Sequence, residues 1–521
     1  IPGMDAQSLL VTILVVTSTV TNMHAKTVVF FPPPRTSYIV YHTNVAAALA
    51  SLGHDVWLCV PESHLKRSLV KDTSVNLLSY GRHLGDLEKR NFENSRIVER
   101  FWDREPTMGI HSLYLVSQFF NKIAKEILDD KTFIDKVRNL NPDLIVIESI
   151  PFNMNMVVLP YMLDIPFAFI GTVHEAIMSK VPFSPAVTPY FIDFVSDQMT
   201  FFQKVFFTIY YVVSINFDIF HDSSLVSKFA PHKPYKSIYD LAANAELFIA
   251  EVDYILDYPR TMLPNTKLIG GSSASPAKPL VGEFQKFADE AKSGLIVMSF
   301  GGYLVNIPPE IFTKFVSAFK QLDLRVVWKV NMTSPDPRQI LTSLWIPQND
   351  LLGHDKAKLF VSHCGKNGQY EALYHGVPIL CLPIYGDQAY NSERVRVKQL
   401  GLYTDMRDAS ADELAAMMKE IIYGGKYAEN MKKASRLYRE LYKLPKHEAA
   451  YWLDHVIKFG GDYMRSSGQQ MPWYQILVLD VIAFLIIIVV FILLVFYVLI
   501  NICCRLYKGS HRIRKVKCKR K

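Results

Sequence analysis

The sequence predicts two doubly wound α/β domains in tandem, followed by one transmembrane helix. Three observations support this. Apolar, strand-like runs alternate with helix-like stretches, the alternation repeats after a linker of small residues and prolines, and residues 481–500 contain no charge. Near-continuous apolar strands are typical of a parallel sheet that helices cover on both faces.

The first series of strands lies in the N-terminal half of the chain. Thr27–Phe31 is apolar and rich in β-branched residues, and a helical stretch over 37–52 follows it and ends at Gly53. The same pattern predicts further strands at Asp55–Val60, Asp143–Ile147 and Phe167–Ile170.

The second series begins after the linker at 270–279. Its predicted strands are Leu295–Phe300, Arg325–Val330, Leu359–Ser362 and Ile379–Leu382. Because ligands of such folds bind outside the carboxyl ends of the strands, we expect a site in the crevice between the two domains.

The predicted boundaries follow from these series and from the two ends of the chain. They are a signal peptide at 1–25, a first domain at 26–270, a linker at 271–285, a second domain at 286–445, return helices and a juxtamembrane segment at 446–475, a transmembrane helix at 476–500 and a basic tail at 501–521.

The N-terminal end resembles a secretory signal. A short apolar run at 9–20 precedes a small-residue site near Ala25, although Asp5 stands where a positive charge is usual. The alternative is a buried N-terminal strand.

The C-terminal end predicts a membrane anchor. Trp473 and Tyr474 precede the apolar segment as interfacial aromatics do, and nine basic residues without an acid follow it. The positive-inside rule therefore predicts a cytoplasmic tail and a lumenal or extracellular body. The tail accounts for the formal net charge of +8, so the nearly neutral body gives no reason to expect nucleic acid as a partner.

Cysteine is sparse. Three of the six lie in the tail, which leaves Cys59, Cys364 and Cys381 for the body. Their spacing predicts no zinc site, and one bridge among the three remains an open possibility.

A candidate anion site lies where a buried strand runs into a helix at 361–368. Gly365 and Gly368 allow a phosphate to approach the backbone, and the N–H groups of the helix start would bind it. His363 adds a side-chain donor, and Glu371, one turn into the helix, would accept hydrogen bonds from ribose.

The flanking residues complete a candidate nucleotide-sugar site. Trp345 offers a flat ring for a base and Gln348 an amide for its edge, while Asp387 and Gln388 follow a strand end and would bind sugar hydroxyls. Each feature alone has a structural alternative: a simple turn, a helix cap, or a core histidine or tryptophan.

The run from Trp345 to Gln388 resembles the signature of the UDP-glycosyltransferase family, and of its animal UDP-glucuronosyltransferases in particular. The resemblance extends over nearly the whole chain, for example to Asp197–Phe201, Tyr258–Arg260 and Ser299–Gly301. It implies a GT-B fold with the acceptor in the first domain and the UDP-sugar in the second.

The resemblance also implies roles for individual residues. Trp345 would stack on uracil beside Gln348, and Glu371 would bind the ribose. The diphosphate would lie on Ser299, Gly301, His363, Gly365, Asn367 and Gly368, and the sugar on Asp387 and Gln388. No metal and no cofactor are expected, because the helix start and His363 would stabilise the departing diphosphate.

The expected catalytic pair departs from the family pattern. The family uses a histidine base oriented by an aspartate, in an inverting displacement at the anomeric carbon. The matching positions here are Tyr38, sixteen residues before His54, and Glu148, which follows a strand. A phenol with a pKa near 10 is a weak base at neutral pH.

Several alternatives to a histidine base at position 38 remain open. His42, one turn beyond Tyr38, would serve as base or simply pack in its helix, and Glu148 would serve if its pKa were raised. An amine or thiol acceptor needs less help from a base, and an inactive enzyme is the remaining alternative.

Two functions are therefore expected. The first is transfer of a glucuronosyl or glucosyl group from a UDP-sugar to a small lipophilic acceptor. The second is a catalytically weak or inactive member that binds UDP-sugar and acts as a partner of active relatives, as a homo- or hetero-oligomer. Lys517 and Lys519 resemble a dilysine retrieval signal, which predicts a single-pass type I protein of the endoplasmic reticulum membrane, and Asn331 opens a glycosylation sequon.

Overall fold

A computed structural model describes residues 25–65, 70, 72–81, 97–174, 176–182, 184, 187–191, 193–302 and 304–518. Residues 1–24 of the expected signal peptide and the last three residues of the tail lie outside this range. The chain divides into two compact units, residues 1–466 and 467–521.

The first unit contains two parallel sheets. The N-terminal sheet has seven strands in the order β3-β2-β1-β4-β5-β6-β7. Their bounds are Thr27–Phe31 (β1), Asp55–Pro61 (β2), Asn76–Tyr80 (β3), Leu144–Glu148 (β4), Phe167–Gly171 (β5), Phe248–Ala250 (β6) and Thr266–Leu268 (β7).

The C-terminal sheet has six strands in the order β10-β9-β8-β11-β12-β13. Their bounds are Leu295–Ser299 (β8), Arg325–Lys329 (β9), Ile340–Ser343 (β10), Ala357–Ser362 (β11), Ile379–Cys381 (β12) and Gly401–Tyr403 (β13).

Helices cover both sheets. Those of the N-terminal half are Thr36–Ala50 (α1), Glu62–Leu65 (α2), Ile97–Trp102 (α3), Gly109–Asp129 (α4), Lys131–Leu140 (α5), Val158–Leu163 (α6), Phe201–Asn216 (α7), Ser224–Phe229 (α8) and Ile238–Ala242 (α9). Those that follow are Gly282–Asp289 (α10), Pro309–Phe319 (α11), Gln348–Leu352 (α12), Lys366–His375 (α13), Gln388–Val397 (α14), Ala411–Tyr423 (α15), Lys426–Leu441 (α16) and Pro445–Phe459 (α17). Short 3₁₀ helices span Pro151–Val157, Asp462–Met464 and Ser467–Gln470.

Each sheet reverses its strand order at one point, and this positions the site. In the N-terminal sheet Val28 of β1 lies between Val56 of β2 and Leu144 of β4. In the C-terminal sheet the ends of β8 and β11 are paired through Ser299 and Ser362. The crevice at such a switch point is where doubly wound sheets bind ligands.

The chain returns to the first domain at its end. Helix α17 packs on α1, and its Ala449 and Leu453 share a buried cluster with Ile39 and Val45. Because this apolar contact joins residues near 40 to residues near 450, both halves belong to one unit.

The predicted fold class is confirmed. All eight predicted strands form within two residues of their expected bounds, because each is a buried apolar run. Five strands were not predicted: β3, β6, β7, β10 and β13. They have only three to five residues and lie at or near the sheet edges, where the sequence shows no clear apolar period.

The structure contains one disulfide among the three cysteines of the body, and it lies beside β11 and β12. Cys364 lies two residues after the end of β11, and Cys381 is the last residue of β12. These two cysteines form a disulfide, whereas Cys59 is buried and free.

The second unit contains the 3₁₀ helix Ser467–Gln470 and the helices Trp473–Ile476 (α18) and Leu479–Cys518 (α19). Within α19, the segment Leu479–Lys508 has 30 residues and exposed apolar side chains. Among the described residues, it is the helical segment that is long and apolar enough to cross a membrane. The predicted C-terminal membrane helix is therefore supported by length and composition.

Candidate functional site

A cavity of about 760 Å³ lies between the two halves of the first unit. The N-terminal half contributes aromatic and aliphatic side chains, among them Phe119, Phe120 and Phe152, together with the charged Arg35, Arg100, Asp103 and Glu105. The C-terminal half contributes a wall of glycines and polar groups. One wall is suited to an apolar molecule and the other to a polar, anionic one.

The polar wall is built on the turn from β11 into α13. Gly365 is the N-cap of that helix, with extended backbone angles, and Gly365, Asn367 and Gly368 all line the cavity. The first backbone N–H groups of a helix have no partner within it, so this turn presents donors to an anion.

His363 lies at the centre of this wall. A Cβ atom added to Gly301 would come 2.9 Å from His363 Nε2, and one added to Gly365 would come within 2.5 Å. Both glycines therefore make room for the ring, and Gly301 also has a left-handed φ of +76°. Burial lowers the pKa of His363 to about 4, so the ring is neutral at pH 7.

Gln348 and Glu371 are joined by a hydrogen bond of 2.5 Å from Nε2 to Oε2. Burial raises the pKa of Glu371 to about 7, against the opposing effect of Gln348. Gln348 lines the cavity, whereas Trp345 is 66% exposed and lies outside its wall. An exposed indole ring three residues before Gln348 is compatible with stacking on a base.

Asp387 and Gln388 lie on the same wall at the start of α14. Asn391 donates to Asp387 Oδ2 at 2.8 Å, and Gln388 Oε1 accepts from the backbone N–H of Ile384 at 2.8 Å. Both side chains are thus held in place before a ligand arrives.

Tyr38 lies on the cavity wall, on the first turns of α1. Glu148 ends β4 and is completely buried behind that wall. Its carboxyl contacts His42, whose Nε2 lies 3.2 Å from Glu148 Oε2. His42 is also fully buried and is not among the cavity-lining residues.

Burial favours the uncharged form of both members of this pair. It lowers the pKa of His42 to about 3. It also raises the pKa of Glu148 well above its usual value, an effect that the nearby Glu251 increases and backbone N–H groups oppose. Because His42 is uncharged at neutral pH, its contact with Glu148 is not a carboxylate–imidazolium ion pair.

The structure thus brings most of the predicted site residues to one cavity. These are Tyr38, Gly301, Gln348, His363, Gly365, Asn367, Gly368, Asp387 and Gln388. Four others lie outside the wall: Ser299 is buried and accepts weakly from the N–H of Gly301 at 3.4 Å, while Trp345, Glu371 and Glu148 are placed as described above.

Two cationic residues stand differently from what the sequence suggests. Arg260 lies in a segment that resembles the family, and its charge makes it a weak candidate for binding a glucuronate carboxylate. In the structure it pairs with Asp257 at 2.8 Å and Tyr390 at 2.9 Å, and it does not line the cavity. Lys366, which sequence reasoning missed, does line it. The available signal was a lysine at a helix start, where the helix dipole disfavours a cation.

Solved structures of glycosyltransferases have the same fold. CalG4, the calicheamicin glycosyltransferase, aligns with a TM-score of 0.60 at 15% identity, over 84% of this chain and 99% of that one. A glycosyltransferase of kitacinnamycin aligns with a TM-score of 0.59 at 18% identity, over 83% and 99%. These neighbours identify the two-sheet unit as a GT-B fold.

Sequence relatives agree over most of the chain. UDP-glucuronosyltransferase 1-2 of Mus musculus is 29% identical over 446 residues, which cover 83% of this chain and 81% of that protein. UDP-glucuronosyltransferase 2B15 of Homo sapiens is 27% identical over 477 residues, covering 87% and 89%. The model of the family described as UDP-glucoronosyl and UDP-glucosyl transferase matches residues 27–519. The chain therefore belongs to the UDP-glucoronosyl and UDP-glucosyl transferase family.

Proposed function

We propose that this chain transfers a glucuronosyl or glucosyl group from a UDP-sugar to a small lipophilic acceptor, with inversion and without a metal. The observation that carries the proposal is the shared cavity. It places the glycine-rich helix start of α13 opposite the aromatic wall around Phe119 and Phe120. A donor on one wall and an acceptor on the other would meet beside Tyr38.

The donor would bind through groups that are already in place. The helix start and neutral His363 supply donors for the diphosphate, and these also stabilise the charge that develops on it as the sugar leaves. Gln348 and Glu371 would hold the uridine, with Trp345 stacked on the base. Asp387 and Gln388 would bind the sugar.

Proton removal from the acceptor is the weak step. Tyr38 faces the cavity, but a phenol is a weak general base. The carboxyl that should assist a base at this place, Glu148, contacts His42. His42 itself is buried behind the wall, which disfavours it as the base that meets the acceptor. Amines and thiols, which need less help than alcohols, are therefore the favoured acceptors.

The buried contact between Glu148 and His42 also supports a second candidate function. A family member whose Glu148 carboxyl is buried against His42 would bind UDP-sugar, transfer the sugar poorly and act through association with active relatives. Both candidate functions require UDP-sugar to bind on the polar wall of the cavity. Only a measurement of sugar transfer to an acceptor therefore distinguishes them.

The proposed location is the endoplasmic reticulum membrane. Helix α19 would anchor the chain as a single-pass type I protein with a lumenal body, and the basic tail would be cytoplasmic. Membrane fractionation with protease protection of the body would test this orientation.

A donor and acceptor screen on the wild type beside Tyr38→His tests the function. Under the first candidate, membranes that contain the wild type form conjugates with amines or thiols, and Tyr38→His gains about 10²-fold or more with alcohols. Under the second, UDP binds but no conjugate accumulates. Absence of UDP binding would contradict both.

A further inference from the structure

A short segment of the N-terminal half packs into the core of the C-terminal half. It comprises residues 97–108, which contain helix α3 and the turn before α4, and we call it the strap. Phe101 is fully buried in a hydrophobic cluster whose other buried members, among them Met298 and Trp328, all belong to the C-terminal half. Helix α4 then returns to the core of the N-terminal half, where Ile123 is buried. The strap thus crosses from one half to the other and back.

Arg407 of the C-terminal half holds the strap in place. Its guanidinium carbon lies 4.1 Å from the centre of the Phe101 ring, and its Nη1 donates to the Phe101 carbonyl at 2.5 Å. Asp405 fixes the guanidinium by accepting from its Nε at 2.9 Å. Because the cation contacts both the ring and the backbone of Phe101, the strap is fastened by more than apolar burial.

Thr107 joins the strap to the loop 384–387, which precedes Gln388 and α14. The Thr107 hydroxyl donates to the carbonyl of Ile384 at 2.5 Å, and the Thr107 carbonyl accepts from the N–H of Gly386 at 3.2 Å. The N–H of Ile384 donates to Gln388 Oε1 within the C-terminal half. Since Thr107 is only 4% exposed, both of its bonds to the loop are shielded from water. The loop is therefore held from both halves of the unit.

The strap also forms part of the cavity wall on the side expected for the acceptor. Ile97, Arg100, Asp103 and Glu105 line the cavity there. Arg100 Nε donates to Glu105 Oε2 at 2.8 Å, so these two charges balance each other within the strap. One short segment therefore contacts the acceptor space through these side chains and the loop before α14 through Thr107.

We propose that Thr107 is a positioning residue for the donor sugar, because it holds the loop 384–387 where Asp387 and Gln388 reach that sugar. UDP lacks the sugar and makes no use of this loop, so its binding is independent of Thr107. The inference rests on the proposed function, because it needs a UDP-sugar on the polar wall. It goes further by giving a residue of the N-terminal half a part in donor recognition.

The test is titration calorimetry of the full-length chain in detergent with UDP, UDP-glucose and UDP-glucuronate. Thr107→Val keeps the branched shape and removes the hydroxyl, so the buried carbonyl of Ile384 loses its donor. Affinity for whichever UDP-sugar the wild type binds should fall about 10-fold, whereas affinity for UDP should stay within about 2-fold. Thr107→Ser keeps a hydroxyl at this position and should retain most of the wild-type affinity.

Thr313→Val is the matched control. Thr313 lies on the exposed side of α11, and its hydroxyl also donates to a backbone carbonyl, that of Pro309, at 2.9 Å. The same chemical change is thus made away from the strap and the loop. It should leave all three affinities within about 2-fold of the wild type.

A second measurement uses only the wild type and so does not depend on how Thr107→Val folds. Amide hydrogen exchange of the full-length chain is followed by mass spectrometry without ligand, with UDP and with the UDP-sugar that binds. Because the strap and the loop 384–387 are hydrogen-bonded to each other, the UDP-sugar should slow exchange in residues 97–108 at least about 3-fold more than UDP does.

An equal loss of UDP and UDP-sugar affinity in Thr107→Val would overturn the inference, because it would show a general effect on the crevice. Unchanged affinities in that variant, or a loss that is as large in Thr107→Ser, would also overturn it, and so would equal protection of the strap by UDP and by the UDP-sugar. A wild type that binds no UDP, or that binds UDP but neither UDP-sugar, would instead contradict the proposed function itself.

Discussion

His42 Nε2 lies 3.2 Å from Glu148 Oε2, and neither side chain is exposed to solvent. The two residues are 106 positions apart in sequence, on α1 and at the end of β4. The carboxyl that was expected to assist a base at position 38 is thus held by a histidine one helical turn further along.

His42→Ala should lower the free energy of unfolding by about 2–4 kcal/mol, because it leaves a cavity and a buried carboxyl without its partner. Chemical denaturation in detergent measures it. His232→Ala removes an exposed histidine and should change the value by less than about 0.5 kcal/mol. Equal effects of the two changes would show that the buried pair contributes nothing to stability.

His363→Ala should weaken UDP binding about 10- to 100-fold, since the diphosphate loses a fixed donor in a pocket shielded from water. Titration with UDP measures this loss. His447→Ala, on the exposed side of α17, serves as the control and should bind normally. Unchanged binding by His363→Ala would place the diphosphate elsewhere.

Gly301→Ala should also weaken UDP binding, because a methyl group would come 2.9 Å from His363 Nε2 and displace the ring or the turn. Gly282→Ala separates this clash from backbone strain. Gly282 has a similar left-handed φ of +62°, but its added Cβ meets nothing within 4 Å. Both variants should lose about 1–2 kcal/mol of stability, and only Gly301→Ala should lose UDP affinity.

UDP affinity should increase as pH rises through about 7. Burial raises the pKa of Glu371 to about 7, and its ionised carboxylate is the better acceptor for ribose hydroxyls. Titrations with UDP at pH 6 and pH 8 should differ more for the wild type than for Glu371→Gln. Equal pH dependence would assign the change to the phosphate of UDP alone.

The raised pKa of Glu371 also predicts how the stability of the ligand-free protein depends on pH, and this dependence is opposite in direction to that of UDP affinity. The unfolded chain releases the Glu371 proton near pH 4.5, whereas the folded chain keeps it until about pH 7. Because the folded state binds more protons between these values, its stability should fall as pH rises through that window. Glu371→Gln should remove this slope in thermal unfolding without ligand.

Local sequence signals predict the framework of the two sheets and the turn from β11 into α13. Strands such as Thr27–Phe31 and Leu295–Ser299 are buried apolar runs, and Gly365 and Gly368 mark the turn, so both signals are local. The long charge-free run likewise predicts the apolar C-terminal helix, which is long enough to cross a membrane. Short edge strands such as β13 carry no such signal, and they were missed.

Contacts between distant residues become known only from the folded structure. It joined Cys364 to Cys381 rather than to Cys59, turned Glu148 toward His42, and brought Lys366 to Thr172, 194 positions away. These contacts depend on strand order and on how helices pack across a crevice. A local sequence pattern records the preference of one segment, whereas such pairings arise from burial of two segments against each other.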